Sequence, residues 1–201
     1  MVADPGDDRL CHQLGSCALR LLQKDLKRLQ QLQPDFRLEV NVSGKSIGDP
    51  DLERTIIESL RENEVDPRGL VLEITETAAV ADVEAARAFA ERVTALGCSF
   101  ALDHFGAGFG SFYYLKHLLF DYVKIDGEFV ANCHVNPTDR AIVHSIVGIA
   151  HGLGKRAIAE FVSEPAILEV MREEGVDFVQ GHHIGKPTSV EEFVDSFDAQ
   201  P

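Results

Sequence analysis

Six short apolar runs, each closed by a polar or charged residue, constrain the fold of this chain more than any other feature. The runs end at Val40-Asn41, Leu72-Glu73, Leu102-Asp103, Val123-Lys124, Ala159-Glu160 and Val179-Gln180. Successive ends lie 20 to 36 residues apart. That is room for a crossover helix between parallel strands and far too much for a tight hairpin. Between the runs, the apolar residues shift to helical spacing.

Taken in order, Ala18, Leu22, Leu26 and Leu29 mark a helix over 14–32 that Pro34 ends, preceded by a disordered lead over residues 1–13. Phe36–Val40 alternates as a strand. Asp49-Pro50 starts a helix through Leu60, Leu70–Thr75 is a strand, and Ala81–Leu96 is a helix closed by Gly97. The strand Phe100–Leu102 runs into a loop with glycines at 106, 108 and 110 and a short helical piece near Tyr114–Leu118. Tyr122–Ile125, a helix capped by Thr138, Arg156–Ala159, a helix over Pro165–Glu174, and Asp177–Val179 complete the series. The alternation predicts an α/β fold with a mainly parallel sheet. No strand precedes the first helix. A barrel on this plan is therefore incomplete at its N-terminus, and 201 residues is short of the roughly 250 of an eight-unit barrel.

That length and 45% hydrophobic composition suit one domain over residues 1–201. No apolar run reaches the roughly 20 residues that span a bilayer. The acidic start, Met-Val-Ala-Asp-Pro-Gly-Asp-Asp, is unlike a signal peptide, so the expected setting is cytoplasmic with no membrane insertion. Cys11, Cys17, Cys98 and Cys133 form no C-x-x-C pair and read as reduced thiols. A net charge of −14 argues against a nucleic-acid polymer as partner. A small phosphate ligand stays admissible if a divalent cation stands between it and the carboxylates.

The strand ends hold the candidate chemistry. Glu73, Asp103 and Glu160 are hard oxygen donors and Asn41 is a neutral one, a set that suits Mg²⁺ or Mn²⁺. Any one of them alone would mark only where a buried strand meets water; together, on one face of a parallel sheet, they mark a site. Lys124 is either a phosphate ligand or water-orienting group, or a lysine paired with Asp126 or a site carboxylate. Gln180 and Gly181 could contact a base or phosphate, or cap the barrel. The Gly106-x-Gly108-x-Gly110 spacing is wrong for a dinucleotide fingerprint. His182 and His183 are adjacent and would point to opposite faces of a strand.

The ordered set Val40-Asn41-Val-Ser43, Leu72-Glu73-Ile-Thr-Glu76, Leu102-Asp103-His-Phe-Gly-Ala-Gly108, Val123-Lys124-Ile-Asp126, Ala159-Glu160-Phe-Val162 and Gln180-Gly181 resembles the EAL domain family, over about Leu14 to Pro187. The resemblance implies a modified TIM-type (β/α) barrel. It also implies a two-ion Mg²⁺ or Mn²⁺ site that hydrolyses cyclic di-GMP to linear pGpG. It implies metal ligation by Asn41, Glu73, Asp103 and Glu160, with His104 at the position of a further ligand. Glu160 and Lys124 are then the groups beside the nucleophilic water, Gln180 and Ser43 contact the ligand, and Glu76 steadies the loop after Asp103. The partners it implies are cyclic di-GMP, a second copy of the chain, and a linked sensory or GGDEF-type domain.

Four departures from the family pattern lead us to expect impaired catalysis. The strand bearing the naming Glu-Ala-Leu motif is not in this sequence. His104 stands where a second aspartate ligates metal, and Phe161 and Ser163 replace an expected glycine and glutamate. The alternative expectation is a non-catalytic cyclic di-GMP receptor or a dimerisation and signalling module.

Overall fold

The computed structural model describes residues 25–107 and 114–198. The expected lead over 1–13, the start of the first helix, and Gly108 and Gly110 lie outside the described residues. Residues 25–32 (α1) are helical and stop before Pro34. Six strands follow: β1 (Leu38–Asn41), β2 (Leu70–Thr75), β3 (Ser99–Phe105), β4 (Tyr122–Ile125), β5 (Arg156–Ala159) and β6 (Phe178–Val179). All pair in parallel and in chain order, with β1 and β6 outermost. The sheet is curled, a TIM-like half barrel with helices on its convex side.

Strand alternation divides the core in two. Leu70, Leu72, Ile74, Phe100, Leu102, Val123 and Ile125 point outward into the main core. There they meet α2 (Pro50–Glu62), α4 (Val83–Ala95) and α6 (Pro137–Gly152). Fully burying each large side chain is worth about 1.5–3 kcal/mol. Val71, Ala101, Tyr122 and Ile158 form a separate small cluster on the concave face. One alternation further along each strand, that face carries Glu73, Asp103, Lys124 and Glu160, all buried.

Two helix boundaries differ from the sequence expectation. The expected helix over 81–96 is α4, which starts at Val83 because the Asp82 side chain accepts from Ala85 N, and a separate α3 (Glu76–Ala81) that was not expected precedes it. Asn136, with Pro137 behind it, caps α6 in place of Thr138: Asn136 Oδ1 accepts from Thr138 N at 2.9 Å. Three helices complete the described chain: α5 (Gly127–Val130), α7 (Pro165–Glu173) and α8 (Val190–Asp198). Only α7 was expected. Phe193 of α8 meets Phe36, just ahead of β1, edge to face at 5.7 Å between centroids. The C-terminal helix thereby borders a groove of about 1510 Å³ that runs between the two ends of the sheet.

Candidate functional site

Lys124 is the hub of the concave face. Its Nζ lies 2.7 Å from Glu73 Oε2, 3.0 Å from Glu160 Oε1, and 3.5 Å from both Asp103 Oδ1 and Glu39 Oε2. Glu39, Glu73, Asp103 and Lys124 stand on β1, β2, β3 and β4, and Glu160 directly follows β5, so the sheet register sets the cluster. Of the two sequence readings of Lys124, the ion pair with site carboxylates describes its contacts. Asp126 is not among them.

One ammonium among four carboxylates leaves about three negative charges in excess. Burial alone would lower the lysine pKa, but the Glu73 hydrogen bond and the charges of Glu73, Glu160 and Asp103 raise it above the ordinary value. Burial likewise pushes the Glu73 and Glu160 carboxyls up, against the pull of Lys124. Both directions have one cause: too many acids share one base in a dry place. A divalent cation would relieve that excess.

The donor set fits such an ion. Glu160 Oε2 is buried and has no hydrogen-bond partner among the described residues, although buried polar atoms are nearly always satisfied. Donor atoms of Asp103, His104 and Glu160 lie within 4.8 Å of one another. Oxygen donors favour Mg²⁺ or Mn²⁺, and an imidazole shifts the balance towards the latter.

His104 reaches this cluster through a break in β3. The β3–β4 register shifts between Leu102 and Phe105, and His104 sits at φ 54°. That irregularity overrides strict alternation and lets adjacent residues approach one site. His104 Nδ1 is 2.8 Å from Asp126 Oδ2, and Nε2 is 3.5 Å from Asp103 Oδ2. The Asp126 hydrogen bond raises the imidazole pKa, more than its partial burial lowers it. Asp126 Oδ1 meanwhile caps α5 through Glu128 N at 2.8 Å.

The remaining expected residues occupy the rim. Asn41 stands on the same strand face as Glu39, exposed and in register with Glu73. Ser43 is exposed at the start of a short 3₁₀ turn, and its side chain makes no cap bond. Glu76 is buried, and its Oε2 accepts from Gly106 N at 2.9 Å, tying the start of α3 to the turn after β3. Gln180 is exposed and lines the groove, while its backbone extends the β5–β6 pairing through Ala159 O and Val162 N. Any Cβ at Gly181 would collide with the Val162 backbone, which accounts for that glycine without a ligand. Of the two adjacent histidines, His182 lines the groove and His183 N bonds Val162 O.

Three participants were not read from the sequence as part of the site: Glu39, Asp126 as partner of His104, and Phe161 as a groove-lining ring. For Glu39 a signal existed, since it precedes Asn41 by two and so shares its face.

The EAL domain family model matches residues 2–187. The cyclic di-GMP phosphodiesterase PdeB of Shewanella oneidensis is 36% identical over 170 residues, covering 85% of this chain and 20% of that protein. The cyclic di-GMP phosphodiesterase PdeF of Escherichia coli is 33% identical over 154 residues, covering 77% and 21%. Among solved structures, the PaMucR phosphodiesterase in complex with c-di-GMP superposes with a TM-score of 0.87 at 29% identity. That match covers 92% of this chain and 75% of that one. The chain thus spans about a fifth of the length of these two curated relatives.

Proposed function

The chain belongs to the EAL domain family, and on that premise we propose that it binds cyclic di-GMP through a divalent cation, Mg²⁺ or Mn²⁺. Hydrolysis to linear pGpG is weak. The observation that carries this reading is the buried, partnerless Glu160 Oε2 beside an acid-rich cluster centred on Lys124. Asp103, Glu160 and His104 would hold the ion, with Glu73 and Asn41 completing its surroundings. When bound, the ion offsets the charge between carboxylates and phosphate and lowers the pKa of a water.

The protein groups then have separate tasks. Lys124, held charged, attracts a phosphoryl oxygen and orients the attacking water. Glu160 Oε2 accepts a proton from that water. Water adds to phosphorus, one ester P–O bond breaks, and the released ribose oxygen takes up a proton. Gln180 and Ser43 contact the nucleotide from the rim, and Glu76 holds the turn at Gly106.

His104 supports weak turnover, because an imidazole stands where the family pattern has an anionic oxygen donor and is engaged by Asp126. The same observation favours a second reading, a receptor that binds the nucleotide without cleaving it. We also propose a cytoplasmic domain linked to sensory or GGDEF-type modules and able to pair with a second copy. Among the described residues no helix is long and apolar enough to cross a membrane.

Calorimetric titration of cyclic di-GMP with Mg²⁺, with Mn²⁺ and in excess chelator, with chromatography of products, tests the proposal. Metal-dependent binding with slow appearance of pGpG is expected. Binding without product selects the receptor, and equal affinity in chelator overturns the metal-bridged site.

A further inference from the structure

Phe161 occupies a conformation that its own chemistry disfavours. Its φ is 57°, in the left-handed region where a Cβ crowds the backbone. Its side chain gains little from burial, with 63% of the residue exposed. Strain and exposure together, at the residue next to Glu160, suggest a task outside the core.

The surroundings specify that task. The ring lies over Gly127, the first residue of α5, where any Cβ would overlap Cγ, Cδ2 and Cε2 of Phe161. Gly127 is thus a backstop on one side. The ring also lines the groove, in company with Glu160, Phe178, Gln180 and Gly181. It is an aromatic surface, backed by the main chain of Gly127, open to solvent, and next in sequence to Glu160.

We propose that Phe161 is a stacking platform for a purine base of the nucleotide whose phosphodiester lies at Glu160 and Lys124. This rests on the cyclic di-GMP reading above and adds a base-holding element to it. A phenyl ring offers a flat π face that matches a base without reading its edge. Anchoring a base beside the reaction centre retains the nucleotide even where metal ligation is weak.

The chain contains no tryptophan, so Phe161→Trp installs a sole indole reporter. Its fluorescence should be quenched by cyclic di-GMP in the presence of Mn²⁺. Phe161→Leu keeps an apolar side chain without a ring and should weaken calorimetric affinity about tenfold. Phe161→Gly removes ring and strain together, so its melting temperature should equal or exceed wild type while affinity falls.

Wild type that fails to bind cyclic di-GMP overturns the functional reading and the platform with it. If wild type binds and Phe161→Leu stays within about twofold of it, the platform alone is wrong. A Phe161→Gly protein that loses melting temperature along with affinity would make the ring a structural cover for Gly127, and would also overturn the platform.

Discussion

Glu76 and Gly106, thirty residues apart, are joined by one hydrogen bond: the buried carboxylate accepts from the glycine amide at 2.9 Å. This bond fixes the exit of β3 immediately after Asp103 and His104. Glu76→Ala leaves the amide without its partner and should cost about 1–3 kcal/mol of stability. Urea denaturation measures that cost. Calorimetry with cyclic di-GMP should show weaker binding in the same variant, because the turn bearing the site is no longer held.

A divalent cation should stabilise the fold, and Glu160→Gln should abolish the effect. At about a hundredfold excess over the dissociation constant, binding is worth about 2.7 kcal/mol, or roughly 5–10 °C in melting temperature for a chain of this size. Burial raises both Glu73 and Glu160 above the ordinary 4.5. Metal-free protein therefore gains from these groups below that value and loses the gain as pH rises through their folded values. Scanning calorimetry with Mg²⁺, Mn²⁺ and chelator checks both points. A Glu160→Gln protein that still responds fully to metal would remove Glu160 from the ion.

The His104–Asp126 pair predicts a loss of the same sign in a window that starts nearer neutral pH. The imidazole pKa is raised from 6.5, first by the Asp126 hydrogen bond. Its stabilisation is complete below 6.5 and is lost as pH rises through the higher folded value. Comparing wild type with His104→Gln in chelator, the difference in melting temperature should shrink across that window. A constant difference would mean that the pair does not form in solution.

His104→Asp should act on chemistry. It adds a hard anionic donor beside Asp103, so Mg²⁺-supported hydrolysis should gain more than Mn²⁺-supported hydrolysis. Rates of pGpG formation with each metal decide it. Equal gains, or none, would exclude His104 from the metal's surroundings.

How far the sequence reaches depends on the type of signal. Leu70–Thr75, Tyr122–Ile125 and Arg156–Ala159 are strands with the expected bounds, because compact apolar runs closed by turn residues admit few alternatives. α4 lies within the expected helix over 81–96, whereas α3, six residues long, is too short for apolar periodicity to reveal. The spacing of Glu39 from Asn41 shows which face it shares; its place beside Lys124 depends on the curvature of the sheet. His104 defied alternation, since a register shift is a property of two strands together and neither sequence displays it.

The pairing of every strand with its successor in the chain has a consequence for how the molecule assembles and fails. Each new strand needs to close only the loop behind it, so growth of the sheet can proceed by local steps without waiting for distant ends to meet. A lesion in one helix then touches two adjacent seams and spares the remainder. Amide exchange should be slowest in β3 and β4 and quicken towards β1 and β6, a gradient of opening along a zipper. The acid-rich cluster straddles that gradient. Glu73, Asp103 and Lys124 belong to the slow-opening centre, whereas Glu160, Phe161 and Gln180 belong to the seam that comes apart first. A bound nucleotide spanning both would act as a clasp on the weaker side, and its protection should register most strongly in β5 and β6.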